Sequence, residues 1–282
     1  MVKTHSGRVH GTLRESAFYL VMCLLAAPFL MPLLWMISTA FKPAQLVYAS
    51  PPQWIPNPIT LENFRQAWAL LDFTRFFRNS ALVAGLSVLG TLGSSSLVGY
   101  AFATLPARGK SWLFRLLLAT IMVPASVTLI PLFVLFSKLG WVNTWLPLIL
   151  PQFGANAFYV FLFRQFFRSL PGELFESAEL DGCNPLMTYW KIALPLSHPA
   201  LATVAVFAFI ATWNDFLGPL VYLSTTDQYT LGLGLSLFQG LFYTQLHYLM
   251  PMSLLALLPV LALFIVAQRY FVQGIVTTGL NG

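Results

Sequence analysis

Charge is scarce in this chain. Lys, Arg, Asp and Glu together make up 9% of its 282 residues, where an ordinary soluble domain carries about a quarter. A water-facing surface cannot be built from so few charges, which argues against a soluble enzyme and against a disordered segment. The net charge of +6 does not point to nucleic acid, because the fifteen Lys and Arg are scattered rather than massed into a basic stripe. Cysteine is nearly missing. Cys23 stands in an apolar run and Cys183 in a polar loop, so no disulfide framework follows. The histidines His5, His10, His198 and His247 are scattered without metal-ligand spacing. No Ser/His/Asp set can be assigned. The Gly-x-x-x-x-Gly-Lys-Ser/Thr phosphate loop is missing too, so the chain has no ATP-hydrolysing site of that kind.

What abounds is apolar surface. Hydrophobic residues reach 57%, aromatics 15%, and the mean hydropathy is +0.74. This is the composition of a polytopic membrane protein. Cutting the chain at its charges leaves runs long enough for a spanning helix of about 20 residues. They predict an all-α fold with six transmembrane helices near 16–40, 78–103, 113–137, 145–167, 199–223 and 247–268. The first run is longer than a secretory h-region and has no small-residue cleavage site after a short core, so it reads as a retained helix. Residues 1–15 read as an N-terminal tail and 16–282 as one transmembrane domain, without internal repeats or low-complexity tracts.

Lys and Arg orient the spans. With both termini on one side, that side holds Lys3, Arg8, Arg14, Arg108, Lys110, Arg115, Arg164, Arg168, Lys191 and Arg269. The other holds Lys42, Arg65, Arg75, Arg78 and Lys138. The richer side is cytoplasmic, so both termini are expected there. Residues 42–76, with the Pro-rich "YASPPQWIPNP", then lie outside.

One inner loop, about 168–198, is far longer than the two to eight residues a helix connection needs. It has its own helical grammar. Pro171-Gly172 marks a start. Glu173, Glu176 and Glu179 share one face, and Leu174, Ala178 and Leu180 are expected to supply an apolar one. Asp181-Gly182 stops the helix, with Gly suited to the left-handed position beyond a helix end. A short amphipathic helix lying under the membrane is expected either to offer a docking element or only to tie two spans together.

This stretch resembles the EAA motif of ABC-importer permeases, through Glu176, Ser177, Ala178, Asp181, Gly182, Leu194, Pro195 and Pro199. Ser177 stands where the family usually has Ala, and Phe175 where many members carry a second acid. "PALATVAVFAFIATWNDFLGPLVYL" from Pro199, "FKPAQLVYASPPQWIPNPITLENF" from Phe41 and the C-terminal "YFVQGIVTTGLNG" are similar to the carbohydrate-uptake, maltose-type branch. At the C-terminus, Leu280-Asn281 replaces a small residue and a Lys. The resemblance implies a type I ABC importer permease in a bacterial or archaeal cytoplasmic membrane. Its implied partners are a second permease, two copies of an ATPase subunit that hold the ATP and Mg, an outer solute-binding protein and a sugar-type substrate. It assigns ATPase coupling to Glu176, Ser177, Ala178, Asp181 and Gly182, and expects no cofactor or metal on this chain.

For the substrate path the candidates are Trp213, Asn214, Asp215 and Asn156, with Gln152 beside them. Asp215 is the one carboxylate inside an expected span, where a charge must face a cavity or a partner. Both a path-lining role and a helix–helix polar contact fit it. Aromatic faces and amides suit sugar rings, which have apolar faces and hydroxyl edges. The segment Gly90–Gly99, "GTLGSSSLVG", reads as a close-packing face. Pro28, Pro32, Pro124, Pro131, Pro147 and Pro151 fall inside spans, where they either kink helices or are tolerated. The rival reading is an ion-gradient-driven secondary transporter, which needs titratable groups at broken helices near the midplane.

Overall fold

The computed structural model describes residues 6–240 and 244–279. Lys3, His5 and Leu280-Asn281 therefore lie outside the described residues. The chain is helical throughout, with no strand among the described residues beyond one isolated bridge, Gln239 to Thr244. In order, the helices are α1 Ser6–Ala40, α2 Glu62–Leu70, α3 Phe73–Thr104, α4 Lys110–Ala119, α5 Ala125–Lys138, α6 Leu146–Ile149, α7 Ala157–Arg168, α8 Glu173–Leu180, α9 Pro185–Thr188, α10 Leu194–Leu196, α11 His198–Trp213, α12 Leu217–Tyr222, α13 Leu231–Ser236 and α14 Leu246–Gly279. Contacts divide the chain into two compact units, residues 1–71 with 238–256 and residues 72–237 with 257–282.

In the first unit, the end of α1 is the anchor. Lys42 is fully buried, and its ammonium lies 3.9 Å from the centre of the Trp35 ring. A cation is favoured there twice, by the ring face and by the negative end of the α1 dipole. Burial pushes the Lys42 ammonium below its ordinary pKa. Asn63 on α2 donates to the carbonyls of Ala40 (3.2 Å) and Lys42 (2.6 Å), which the helix end leaves without partners. Trp54, from the Pro-rich strap, packs edge-on against Trp35 at 5.0 Å, and its carbonyl accepts from Ser38.

The second unit is built on α3. Its buried positions, Phe73, Phe76, Ser80, Val83, Ala84, Ser87, Thr91, Ser95 and Gly99 among them, recur every three or four residues and so form one stripe. Most are small. That lets α7, α11 and the 3₁₀ turn Leu150–Gly154 come close to α3, as the packing of helices in lipid requires. Gly99 shows how close: a Cβ there would lie 2.6 Å from Phe163 Cβ and 3.1 Å from the Arg164 nitrogen and the Val160 oxygen. At Gly90 it would meet the Phe153 ring at 2.5 Å. At the other end of α3, Asp72 caps the helix by accepting from the Arg75 amide. The Arg75 guanidinium pairs with both Asp72 and Asp227.

Four helical stretches are long and apolar enough to cross a membrane, Phe18–Ala40, Phe73–Thr104, Leu146–Arg168 and Leu246–Gln268. Two bent pairs, Lys110–Met122 with Ala125–Lys138 and Pro185–Leu196 with His198–Trp213, bring the number to six. The described helices thus supply four candidate spans, or as many as six if each bent pair is one span, with the second pair covering 185–213 rather than the expected 199–223. Three of the expected spans are not the continuous rods the apolar runs suggested. The third breaks at Val123-Pro124 and bends by 95°, because a residue before proline is pushed out of the helical region. The fourth is interrupted at Ala155-Asn156, between the 3₁₀ turn and α7. The fifth stops after Trp213 and resumes at Leu217. α11 alone is about 24 Å long at 1.5 Å per residue, short of the roughly 30 Å hydrocarbon layer, so α12 completes the crossing. Pro28, Pro32 and Pro131 sit inside intact helices.

The packing at Gly99 yields a controlled test. Gly99→Ala forces α3 and α7 apart and is expected to destabilise by about 1–3 kcal/mol, the usual cost of overpacking, despite a helix-propensity gain of ~1 kcal/mol. Gly85→Ala and Gly93→Ala meet no atom within 4 Å and keep that gain. Thermal unfolding of the purified chain in detergent should drop for Gly99→Ala and hold or rise for the two controls.

Candidate functional site

The long loop is a folded element. α7 ends at Arg168, and Leu170-Pro171-Gly172 turns the chain into α8. Glu173 and Glu176 fall in the first turn of α8, where the helix dipole favours acids. The exit is a Schellman motif: Gly182 N–H donates to the Glu179 carbonyl (3.0 Å) and Cys183 N–H to the Ala178 carbonyl (2.9 Å). Gly182 has φ +77°, the left-handed conformation that side chains resist. Asn184 then accepts from the Met187 amide (2.8 Å) and opens α9 with Pro185 at its first position.

The faces of α8 differ from the expected ones. Its buried side is Ala178, 3% exposed, with Phe175 half-buried above it. Leu180 is 89% exposed. It follows Ala178 by two residues, which rotates it about 200° around the helix to the opposite side. The outward surface is Glu173, Glu176, Ser177, Leu180 and Asp181. Ala178 must be small for its own chain's packing, and Leu180 is an unsheltered apolar knob among acids.

An aromatic joint seats this loop on the spans. Tyr100, Phe163, Phe167, Tyr189, Ala193 and Val204 form one buried cluster, and Phe175 packs against it. The Tyr100 ring lies 5.3 Å from Tyr189 and 6.3 Å from Phe175. The cluster is pinned by two bonds: Tyr100 hydroxyl to the Pro185 carbonyl (3.1 Å) and Tyr189 hydroxyl with Ser96 (2.7 Å). Both bonds tie the outgoing limb of the loop to α3, while at the incoming side the Phe167 ring packs edge-on against Tyr100 at 5.7 Å. Tyr189 opens a π-helical turn, Tyr189–Ala193, a local widening of the helix often found at functional places.

The breaks in the fourth and fifth spans meet at a cavity of about 210 Å³, lined by Gln152, Asn156, Tyr159, Thr212, Asp215 and Thr230 together with apolar side chains. Each break is repaired from within. Ser94 on α3 accepts from the Ala155 amide (3.2 Å) and contacts the Gln152 carbonyl (3.3 Å). Asn156 Oδ1 accepts from the amides of Phe158 (3.0 Å) and Tyr159 (3.4 Å), capping α7 and leaving its NH₂ as a donor. Asp215 Oδ1 accepts from the Gly218 amide (3.1 Å). A Cβ at Gly218 would lie 2.4 Å from Asp215 Oδ2, so only glycine lets the carboxylate sit there.

Of the four path candidates, Asn156 and Asp215 come together in this cavity. Trp213 is buried, stacked on Phe209 at 5.2 Å and beside Phe77 at 6.1 Å. Asn214 is exposed and donates to the Ile210 carbonyl (3.0 Å). Neither lines the cavity. Sequence reasoning missed Gly218, Thr230 and Leu180. The spacing Asp215-x-x-Gly218 is a usable signal for the first, and nothing local marks Thr230. No group of three His, Cys, Asp or Glu fit for a metal ion occurs among the described residues.

Residues 95–276, which hold the whole loop and nearly all of the cavity lining, match the family described as binding-protein-dependent transport system inner membrane component. The chain is 36% identical over 254 residues to the arabinooligosaccharides transport system permease protein AraQ of Halalkalibacterium halodurans, covering 89% of this chain and 91% of that protein. It is 33% identical over 258 residues to the sn-glycerol-3-phosphate transport system permease protein UgpE of Shigella flexneri, covering 89% and 92%. Its fold matches a chain in the crystal structure of a bacterial ABC transporter involved in the import of the acidic polysaccharide alginate, with a TM-score of 0.80 and 22% identity over 96% of this chain and 99% of that one. With loop motif, fold and relatives in agreement, the chain belongs to the family of binding-protein-dependent transport system inner membrane components, the permease subunits of ABC importers.

Proposed function

We propose that this permease forms half of the membrane path of an ATP-driven carbohydrate importer and that α8 couples it to an ATPase subunit. The observation that carries the reading is the loop: a short helix with an outward face of acids and Leu180, locked by Gly182 and seated on the aromatic joint. Such a helix can transmit displacement because its outgoing limb is bonded to α3 and the Phe167 and Phe175 rings pack on Tyr100. Glu176, Ser177, Leu180 and Asp181 meet the ATPase groove. Ala178 holds α8 against its own chain, and Gly182 fixes the exit.

The assembly contains a second permease, two ATPase subunits holding ATP and Mg, and an outer solute-binding protein. Residues 16–282 act as one permease domain behind a tail at 1–15. Both termini and the loop face the cytoplasm, in keeping with ten Lys and Arg on that side against five on the other. ATP draws the ATPase pair together, the two coupling helices follow, and the spans rock between inward-open and outward-open states. Asn156 and Asp215 line the path at the cavity between the broken spans, with Gln152 and Thr212 beside them. Trp213 and Asn214 brace the end of α11. The arabino-oligosaccharide relative supports a sugar as cargo.

The two broken spans and Asp215 also suit an ion-gradient carrier, in which discontinuous helices frame the site. Affinity purification from the native membrane followed by mass spectrometry of the intact complex separates the two. The importer reading expects an ATPase pair and a second permease, and uptake that needs ATP and survives collapse of the proton gradient. Recovery alone, with uptake that needs only the gradient, rejects it.

The loop gives its own test. Gly182→Val places a β-branched residue in the left-handed region and should abolish uptake while the protein inserts at normal levels. Leu180→Asp leaves the fold untouched, because the side chain packs on nothing, and should lower ATPase association at least tenfold. Normal uptake in both variants would sink the coupling role.

A further inference from the structure

We propose that the cavity between the broken fourth and fifth spans is a subsite for one neutral hydroxylated ring of the cargo, with Thr230 offering a hydroxyl partner and Asp215 setting a preference against anionic cargo. This rests on the permease reading and specifies the substrate class. The cavity of about 210 Å³ holds several waters, each taking about 30 Å³, and is of the size of a single sugar ring rather than a chain. Thr230 is 5% exposed and belongs to the cavity lining, and its buried hydroxyl has no hydrogen-bond partner. A buried hydroxyl without a partner is uncommon in folded proteins, and a cargo hydroxyl supplies what it lacks.

The rest of the lining agrees. Asn156 presents an NH₂ donor, since its oxygen is engaged by the α7 amides. Asp215 has one oxygen on Gly218 and a second free to accept. Gln152 and Thr212 add groups able both to donate and to accept. The Tyr159 ring, with Val83, Leu148 and Pro219, gives the apolar face that a pyranose or furanose ring can lie on. No Lys, Arg or His stands in this lining. Asp215 is its sole carboxylate, and like charges repel. A phosphate or uronate group would meet a carboxylate with no cation to offset it. The cavity is therefore matched to a neutral sugar unit and mismatched to a phosphate or an acidic sugar of the kinds named for two of the related proteins.

The test uses the full transporter complex in detergent, in a background carrying Cys23→Ser and Cys183→Ser. Thr230→Cys, and Thr212→Cys in a separate variant, place a thiol in the cavity. Each is reacted with small methanethiosulfonate reagents of similar size, one cationic and one anionic, and the rate ratio is normalised to that of a free thiol. The proposal expects the cationic reagent to be favoured at least tenfold at either position. Asp215→Asn, which keeps an oxygen for the Gly218 amide, should collapse that preference. Arabinotriose presented with the solute-binding protein should slow labelling, and sn-glycerol 3-phosphate should not. A thiol that neither reagent reaches, a ratio unmoved by Asp215→Asn, or protection by the phosphate overturns the subsite. If ATP-driven uptake persists without charge preference, the subsite fails and the permease reading stands. If the preference holds but uptake ignores ATP, the permease reading fails instead.

Discussion

Inside a bilayer there is no water to satisfy a loose peptide group, and everything distinctive about this permease follows from that constraint. Irregular backbone at membrane depth is tolerated only where protein or an aqueous cavity meets it. This chain breaks two spans at that depth, at Ala155-Asn156 and at Asn214 to Phe216. It supplies the missing partners from three side chains. Ser94 reaches across from α3, Asn156 caps α7, and Asp215 folds onto the Gly218 amide. Two of these three groups, Asn156 and Asp215, also line the polar cavity. The Asp215 carboxylate thus caps a break with one oxygen and leaves the other without a backbone partner at the cavity.

The small-residue stripe of α3 makes these repairs possible. Ser94 can serve the fourth span only because the 3₁₀ turn packs directly on α3, and Gly90 admits the Phe153 ring there. Two turns further along, Gly99 brings α7 into backbone contact. Beyond it, Tyr100 opens into the aromatic joint that carries the long loop with α8. A single helix therefore bears the cavity on one stretch and the loop on the next. Close packing without large flexible side chains between helices transmits displacement, since packed interiors do not deform smoothly.

Much of this was legible in the sequence, and the rest was hidden for definite reasons. Charge-free runs located six spans because insertion depends on composition. The stop at Asp181-Gly182 was legible because φ +77° needs glycine. Hydropathy is blind to helix continuity, so the breaks at 155–156 and 214–216 went unseen. Within the expected fourth span, Gly154 and Asn156 were the only local hints. The faces of α8 were misread at Leu180 because three apolar residues were grouped by type, while the 100° step between residues separates Ala178 from Leu180. Thr230 was invisible. It reaches the cavity through a loop held by Asn79 and Ser80 on α3, about 150 positions earlier in the chain.

That loop explains why a residue outside every span can reach the path. The Asn79 NH₂ donates to the carbonyls of Asp227 and Tyr229, both at 2.9 Å, and Ser80 accepts from the Leu231 amide at 2.7 Å. Three bonds within five residues fix the backbone on either side of Thr230, so the residue is held in place within the lone chain. The Arg75 pair with Asp227 tethers the same segment from its exposed side. An exposed ion pair contributes little stability on its own, and the buried Asn79 bonds set the position. A preformed partner loses less entropy on binding than one that must be ordered. The unpartnered Thr230 hydroxyl thus stands on backbone that is fixed before anything binds.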